Sequence, residues 1–342
     1  MAFKKLKVKV GEAVGTHSNF PTLVQPSLIT GLGSITLAEA QSARFYSDVG
    51  KTTELAREVV GLDEIHVKVT SMEALAEIWM DYDGIRADYA VSATYGRNAV
   101  WSDYLSVQHM QSDQTDSSGN LSPTQSGITY TAGKLGIGGD FESTSSSQIN
   151  FGDPASFHGM TGLTLQTWLK PESFTNFGMI TAKGDIKSWE FRNTGTTGRI
   201  NFSIQTNSGL AGLNQCDSTL VMNIGQWYAT HAVFDSSLAR VDRTRIYTDA
   251  VLTSANSYNG SRQGTTVNNS TDIAYLGRRG DGFYWDGMMD EFRIRASALS
   301  PNWITTEYNN QNANGSFWEA TDAGGGGSTP AQAARRGVIM MM

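Results

Sequence analysis

A single cysteine, Cys216, leaves this chain of 342 residues unable to close an internal disulfide. Prolines number only 7, and charged residues make up only 17% of the chain. There is no excess of basic residues: the formal net charge is −7. That balance argues against nucleic acid as a partner, because phosphate binding needs a basic surface. No apolar run approaches the ~20 residues of a membrane-spanning helix, so no membrane insertion is expected. The opening stretch, MAFKKLKVKVGEAVG, has basic residues but no apolar segment after them, and no secretory signal is expected. The five histidines (His17, His66, His109, His158 and His231) show no zinc-motif spacing. No phosphate-cradling glycine loop or nucleophile elbow stands out.

What is present points to strands. Glycine is plentiful at 36, aromatics make up 10%, and Ser, Thr and Asn are abundant, which suits an all-β chain with many turns. The length fits two domains. In LKVKV, Leu6, Val8 and Val10 alternate with lysines as in a half-buried strand. NFPTLV, ARFYSD and IHVKV follow at strand length. SMEALAEIWMDYDG reads either as a short helix or as a strand. The alternation of Ala76, Ile78, Met80 and Tyr82, closed by Asp83-Gly84, favours a turn and then a strand from about Ala76.

Residues 111–131 are polar loop chemistry and mark the domain join. LTLQTWLK, SWEFRN, RINFSIQT, QWYATHAVFD, TRIYTD and DIAYLGR then form the regular series of short strands that marks a sandwich. One brief helix is expected after Ser300 as N-cap and Pro301 in the first turn. The end, GGGGSTPAQAARRGVIMMM, reads as a flexible linker with a basic and then apolar tip.

Two stretches raise chemical questions. In DGMMDEFRIR, strict alternation sends Met288, Asp290, Phe292 and Ile294 to one face and Glu291, Arg293 and Arg295 to the other. That places the Asp290 carboxylate on an oily face, which is costly unless it is partnered. It also separates the adjacent acids Asp290 and Glu291, and Asp63-Glu64 fails in the same way, so paired-carboxylate hydrolysis is not supported. His231 alternates with core residues and reads as a packed histidine. The turn GRRGDGFYWDG sets Arg279, Asp281, Phe283, Tyr284 and Trp285 among glycines as a glycan-contact candidate, its aromatics serving as stacking platforms. The alternative left open is that Tyr284 or Trp285 caps the core. Arg279 to Asp281 spell RGD, a tripeptide too common to carry an integrin reading.

With these residues laid out, FKKLKVKV, NFPTLV, ARFYSDVGKTTELAREV, IHVKV and WSDYLSVQHM resemble the DUF2341 domain, a small β module. MDYDG stands where that family has Tyr-Tyr-Gly. GKLGIGGDFESTSSSQINFGD, LTLQTWLKPE, GQWYATHAVFD and DGMMDEFRIRASALSPNWITTEY are similar to successive strands of a laminin-G-like, concanavalin A-like jelly roll. The resemblance implies an all-β chain with a DUF2341-like β domain over 1–105, a jelly-roll β-sandwich over 106–320 and a Gly-rich tail over 321–342. It implies a sandwich of twelve to fourteen strands that binds glycans or proteins, sometimes with calcium (Ca2+) at an edge. Asp140 and Asp290 are the calcium candidates. The other reading of Asp290 is structural, with its carboxylate taking backbone amides or pairing with Arg278 or Arg279.

The expectation is a non-enzymatic structural or adhesion protein, foremost a bacteriophage virion component such as a capsid decoration, head fibre or tail protein. It would be made in the host cytoplasm and meet host surface glycans. A disulfide-free domain of extracellular type, without an export signal, suits that setting. Its partners would be the major coat or tail protein and further copies of itself. Arg335, Arg336, Val338, Ile339 and Met340 would form an anchoring tail. Two alternatives stay open: a carbohydrate-binding module of a secreted or cell-surface bacterial protein, and a polysaccharide-active enzyme.

Overall fold

The computed structural model describes residues 2–112, 115–256 and 261–323. The anchoring residues Arg335, Arg336, Val338, Ile339 and Met340 lie outside the described residues.

Residues 2–82, joined by the late strand Trp318–Asp322, build two small antiparallel sheets around one core. A three-stranded sheet runs His17–Val24, Glu64–Met72, Arg57–Gly61. A five-stranded sheet has the order Trp318–Asp322, Ala2–Val8, Glu77–Tyr82, Arg44–Tyr46, Glu54–Leu55. Leu6, Val8, Phe20, Phe45, Ile65, Val67, Ile78 and Met80 fill the space between them. The stretch that read as helix or strand is the strand Glu77–Tyr82. A short helix, Leu37–Ser42, went unread although Thr36 and Glu39 form a capping box at its start.

Helix Pro301–Asn312 begins as expected, with the Ser300 hydroxyl accepting from the Trp303 amide at 3.2 Å. Although it follows the sandwich in sequence, it packs with the first unit: Trp303, Ile304, Phe317 and Trp318 share that unit's core. The Asn310 side chain holds the edge of strand His17–Val24, accepting from the Leu23 amide at 2.6 Å and donating to its carbonyl at 2.9 Å. Strand Trp318–Asp322 then pairs antiparallel with Ala2–Val8, so both ends of the described chain meet in one sheet.

The rest is a sandwich of two eight-stranded sheets, more strands than expected because short edge strands such as Val251–Leu252 and Thr124–Ser126 extend both sheets. One sheet is centred on Gly287–Arg295, Gly162–Pro171 and Tyr228–Asp235; the other on Ile200–Gln205, Trp189–Asn193 and Met179–Lys183. Leu163, Leu165, Leu169, Phe191, Phe202, Phe234 and Phe292 meet between them. The chain is all-β in class, with a small N-terminal β unit and a β-sandwich.

The alternation expected for Gly287–Arg295 does not hold. Leu165 lies opposite Ile294 and Gln166 opposite Arg293, but Trp168 lies opposite Asp290. Two steps on one strand match three on the other, so a β-bulge inserts one residue, and Glu291 occupies it with φ +52°. The bulge swaps faces. Met289, Phe292 and Ile294 point into the sandwich core, whereas Asp290 sits opposite Trp168 on the outer face, as Arg293 does opposite Gln166. Asp290 therefore leaves the oily face altogether. The outer face is itself covered: Trp168 donates to Gln311 of the helix at 2.7 Å and stacks on Tyr308.

Candidate functional site

Three segments around strand Ala274–Leu276 of the second sheet surround a pocket of about 510 Å³. The 184–187 turn contributes Asp185 and Lys187, the 271–275 segment Asp272, Ile273 and Tyr275, and the 279–281 turn Arg279 and Asp281. Gly277 starts the last of these with φ +84°. A Cβ there would lie 2.5 Å from the Phe141 ring, so only glycine lets the loop leave the core at this point. The loop closes on its own backbone, with Arg279 N donating to Phe283 O at 3.2 Å and Trp285 N to Gly277 O at 2.9 Å.

Arg279 organises the charge. It grips both oxygens of Asp281, at 2.7 and 2.8 Å, and reaches Asp185 at 2.7 Å and Glu190 at 2.9 Å. Its hydrogen bonds hold the Asp281 carboxyl below the usual range. A bond from Ser270, with Lys187 nearby, does the same for Asp272. The Asp185 and Asp281 side chains stay about half exposed, and Ile273 adds an apolar edge at 40% exposure.

Of the expected glycan contacts, Arg279 and Asp281 line this pocket. Phe283 and Tyr284 are half-buried and lie outside its lining; Phe283 meets Phe177 edge-on and Tyr284 lies under Arg278. Trp285 cannot serve as a platform, because it is 1% exposed and part of the sandwich core. The alternative in which it caps the core is the one realised. Tyr275, whose ring lines the pocket beneath Arg278, was missed.

The two calcium candidates are not brought together. Asp140 stands with Glu142 and Glu172 in a partly exposed acidic group that does not include Asp290. Asp290 is fully buried, and its Oδ2 accepts from the amides of Lys134 and Leu135, each at 2.8 Å. Its partners are thus backbone amides rather than Arg278 or Arg279. Burial, reinforced by Glu291, pushes its pKa well above the usual carboxylate range.

A second constellation, absent from the sequence reading, fills the seam between the first unit and the sandwich. Glu64 and His66 share a face of strand Glu64–Met72, opposite to the core residues Ile65 and Val67. His109 follows strand Ser106–Gln108, and Glu291 comes from the bulge. His109 Nδ1 contacts Glu291 Oε1 and lies 3.4 Å from Glu64 Oε1; His66 Nε2 lies 3.3 Å from Glu64 and 3.9 Å from Glu291. His109 Nε2 faces Glu58 at 3.0 Å, and Glu58 also accepts from Trp101 at 2.5 Å and Ser117 at 2.7 Å. Arg293 bridges Glu291 to Glu307 of the helix, and Glu307 meets His231 at 3.2 Å.

The charges here are coupled by burial. Burial alone would discharge His109, but Glu291 and Glu58 beside it outweigh that and hold its pKa well above the ordinary histidine value. Burial likewise opposes the Glu291 charge, but His109 and Arg293 overcome it and hold Glu291 well below its usual range. Glu64, buried against Glu291, is pushed well up, and burial pushes His66 well down. The bulge thus also overturns the separation of Asp290 from Glu291: both point away from the sandwich core, yet both are sealed from solvent.

Comparison with known proteins bears on the sandwich. A family model described as the concanavalin A-like lectin/glucanases superfamily matches residues 143–305, which supports the jelly-roll assignment for that segment. No curated protein matches the chain. Among solved structures the chain is similar to domain 4 of AbnA, an extracellular arabinanase from Geobacillus stearothermophilus, solved in complex with arabinotriose. Identity is 21% and TM-score 0.44, covering 59% of this chain and 97% of that one. It is also similar to the binding domain of Paraclostridial Mosquitocidal Protein 1 (12% identity, TM-score 0.47, 60% of this chain and 51% of that one). A third is the botulinum neurotoxin serotype G binding domain (13%, 0.46, 60% and 50%). The chain spans about half the length of the two toxin binding domains.

Because Trp285 is a core residue, Trp285→Ala is expected to cost about 3–5 kcal/mol of unfolding free energy, measured by urea denaturation. A loss of ligand binding at unchanged stability would show that it faces a ligand instead.

Proposed function

We propose that the chain is a non-catalytic glycan-binding protein and that the loop pocket around Arg279 is its binding site. The observation that carries this reading is the lining. Half-exposed carboxylates and two cations stand beside the Tyr275 ring and the Ile273 edge, so polar groups can bond sugar hydroxyls while an apolar surface meets the face of a sugar ring. The groups are pre-oriented: Arg279 is held by three acids before any ligand arrives, which reduces the ordering cost of binding.

Binding without turnover is the better fit to the charges. A glycosidase needs one carboxyl raised so that it can deliver a proton near neutral pH. In the pocket, Asp272 and Asp281 are held below the usual range. The acids raised by burial at the seam, Glu64 and Asp290, are buried away from a polysaccharide, and the raised, more exposed Asp140 and Glu172 lie outside this pocket.

On a glycan array the protein should bind at least one oligosaccharide class and release no reducing ends on prolonged incubation. Lys187→Ala or Asp281→Ala should weaken that binding about tenfold, the value of one charge-assisted hydrogen bond of ~1.4 kcal/mol. Binding unaffected by both substitutions would place the site elsewhere, and sugar release would make the chain an enzyme.

For the setting, we favour display on a bacteriophage particle over a bacterial cell surface. The support is a disulfide-free fold of extracellular type. Peptides of the chain should then band with DNA-filled particles on a density gradient at a fixed ratio to the coat protein. Recovery in envelope or soluble fractions would assign it to a cell-surface or secreted protein.

A further inference from the structure

We propose that Glu64, His66, His109 and Glu291 form a closed, structural binding site for a divalent transition metal of the zinc type, joining the N-terminal unit to the sandwich. Their ligand atoms all lie within 4.8 Å of one another, and all four side chains are buried. Four ligands about 2.0–2.2 Å from a zinc ion form a tetrahedron with edges of about 3.4 Å. The spacings of 3.3 Å from His66 to Glu64, 3.4 Å from His109 to Glu64 and 3.9 Å from His66 to Glu291 are close to such edges, while the direct contact of His109 with Glu291 is shorter and must open to admit the ion. Two imidazole nitrogens and two carboxylate oxygens suit zinc, cobalt or nickel rather than calcium, which takes six to eight oxygens.

The surroundings support the site independently of the spacing. A metal-bound histidine usually turns its second nitrogen toward a carboxylate that fixes its tautomer and orientation. His109 does this: Nδ1 faces the cluster while Nε2 meets Glu58 at 3.0 Å, and Glu58 is itself fixed by Trp101 and Ser117. The carboxylates are held as well, Glu64 by Gln111 at 2.9 Å and Glu291 by Arg293. A pocket of about 210 Å³, lined in part by Glu58, Arg97, His109, Gln111 and Ser117, leads from the surface to the His109 side of the cluster. With four protein ligands the coordination is complete, which is the arrangement of a structural centre.

The test uses the full chain, purified without an affinity tag or chelator. Elemental analysis should find about one zinc-type ion per chain. Stripping with a chelator should lower Tm by several degrees, and zinc or cobalt should restore it. The cobalt form should show the visible absorption bands of a tetrahedral site. The volume-matched variants His66→Gln and Glu64→Gln should each lose the bound metal and the cobalt bands. If a variant does not fold, strip and add-back on the native protein decide the matter. Less than about a tenth of an ion per chain, with a Tm indifferent to chelator and to added zinc, cobalt and nickel, would overturn the proposal and leave a proton-bridged network. Full metal content in both variants would overturn it equally.

Discussion

One extra residue in a central strand governs the arrangement of this protein. At the Glu291 bulge the strand Gly287–Arg295 changes face, so that Met289, Phe292 and Ile294 fill the sandwich while Asp290, Glu291 and Arg293 turn outward. A β-bulge costs a ladder position, and at Glu291 it also costs a left-handed backbone conformation that a residue with a Cβ adopts reluctantly. What it provides is a set of charged groups on the outer face of a sheet. Those groups could not remain there under the helix and the first unit unless they were paired.

The pairing explains why the two halves sit as they do. Arg293 reaches the helix through Glu307, and Glu291 reaches the first unit through His109, Glu64 and His66. Breaking a buried ion pair by removing one partner typically costs about 3–5 kcal/mol, more than a surface pair is worth. The helix Pro301–Asn312 adds apolar contacts through Trp303 and Ile304, and the final strand closes onto the first. The sandwich's loop pocket lies on the other sheet, built from turns that do not take part in this seam.

Much of the fold was readable from period-two alternation. The strands Gly162–Pro171, Ile200–Gln205 and Tyr228–Asp235, the helix cap at Ser300 and the sandwich class all follow from local pattern, whereas the jelly roll rested on the family resemblance. The bulge was not readable, because alternation assumes an unbroken ladder and only the pairing with Gly162–Pro171 reveals the extra residue. Glu64 and His66 gave a usable signal, two ionisable side chains two residues apart on the face of the strand opposite Ile65 and Val67. Their partners His109 and Glu291 lie far along the chain, so no spacing rule could join them. In the loop pocket Arg279 and Asp281 were legible as charged turn residues. Trp285 misled because an aromatic in a glycine-rich turn looks alike in sequence whether it faces solvent or core, and Tyr275 was hidden inside a strand.

Buried charge pairing makes the first unit and the sandwich one cooperative body. Scanning calorimetry of the full chain tests it most directly. The expected result is a single transition whose calorimetric and van't Hoff enthalpies agree. Two separable transitions, one for each unit, would contradict it.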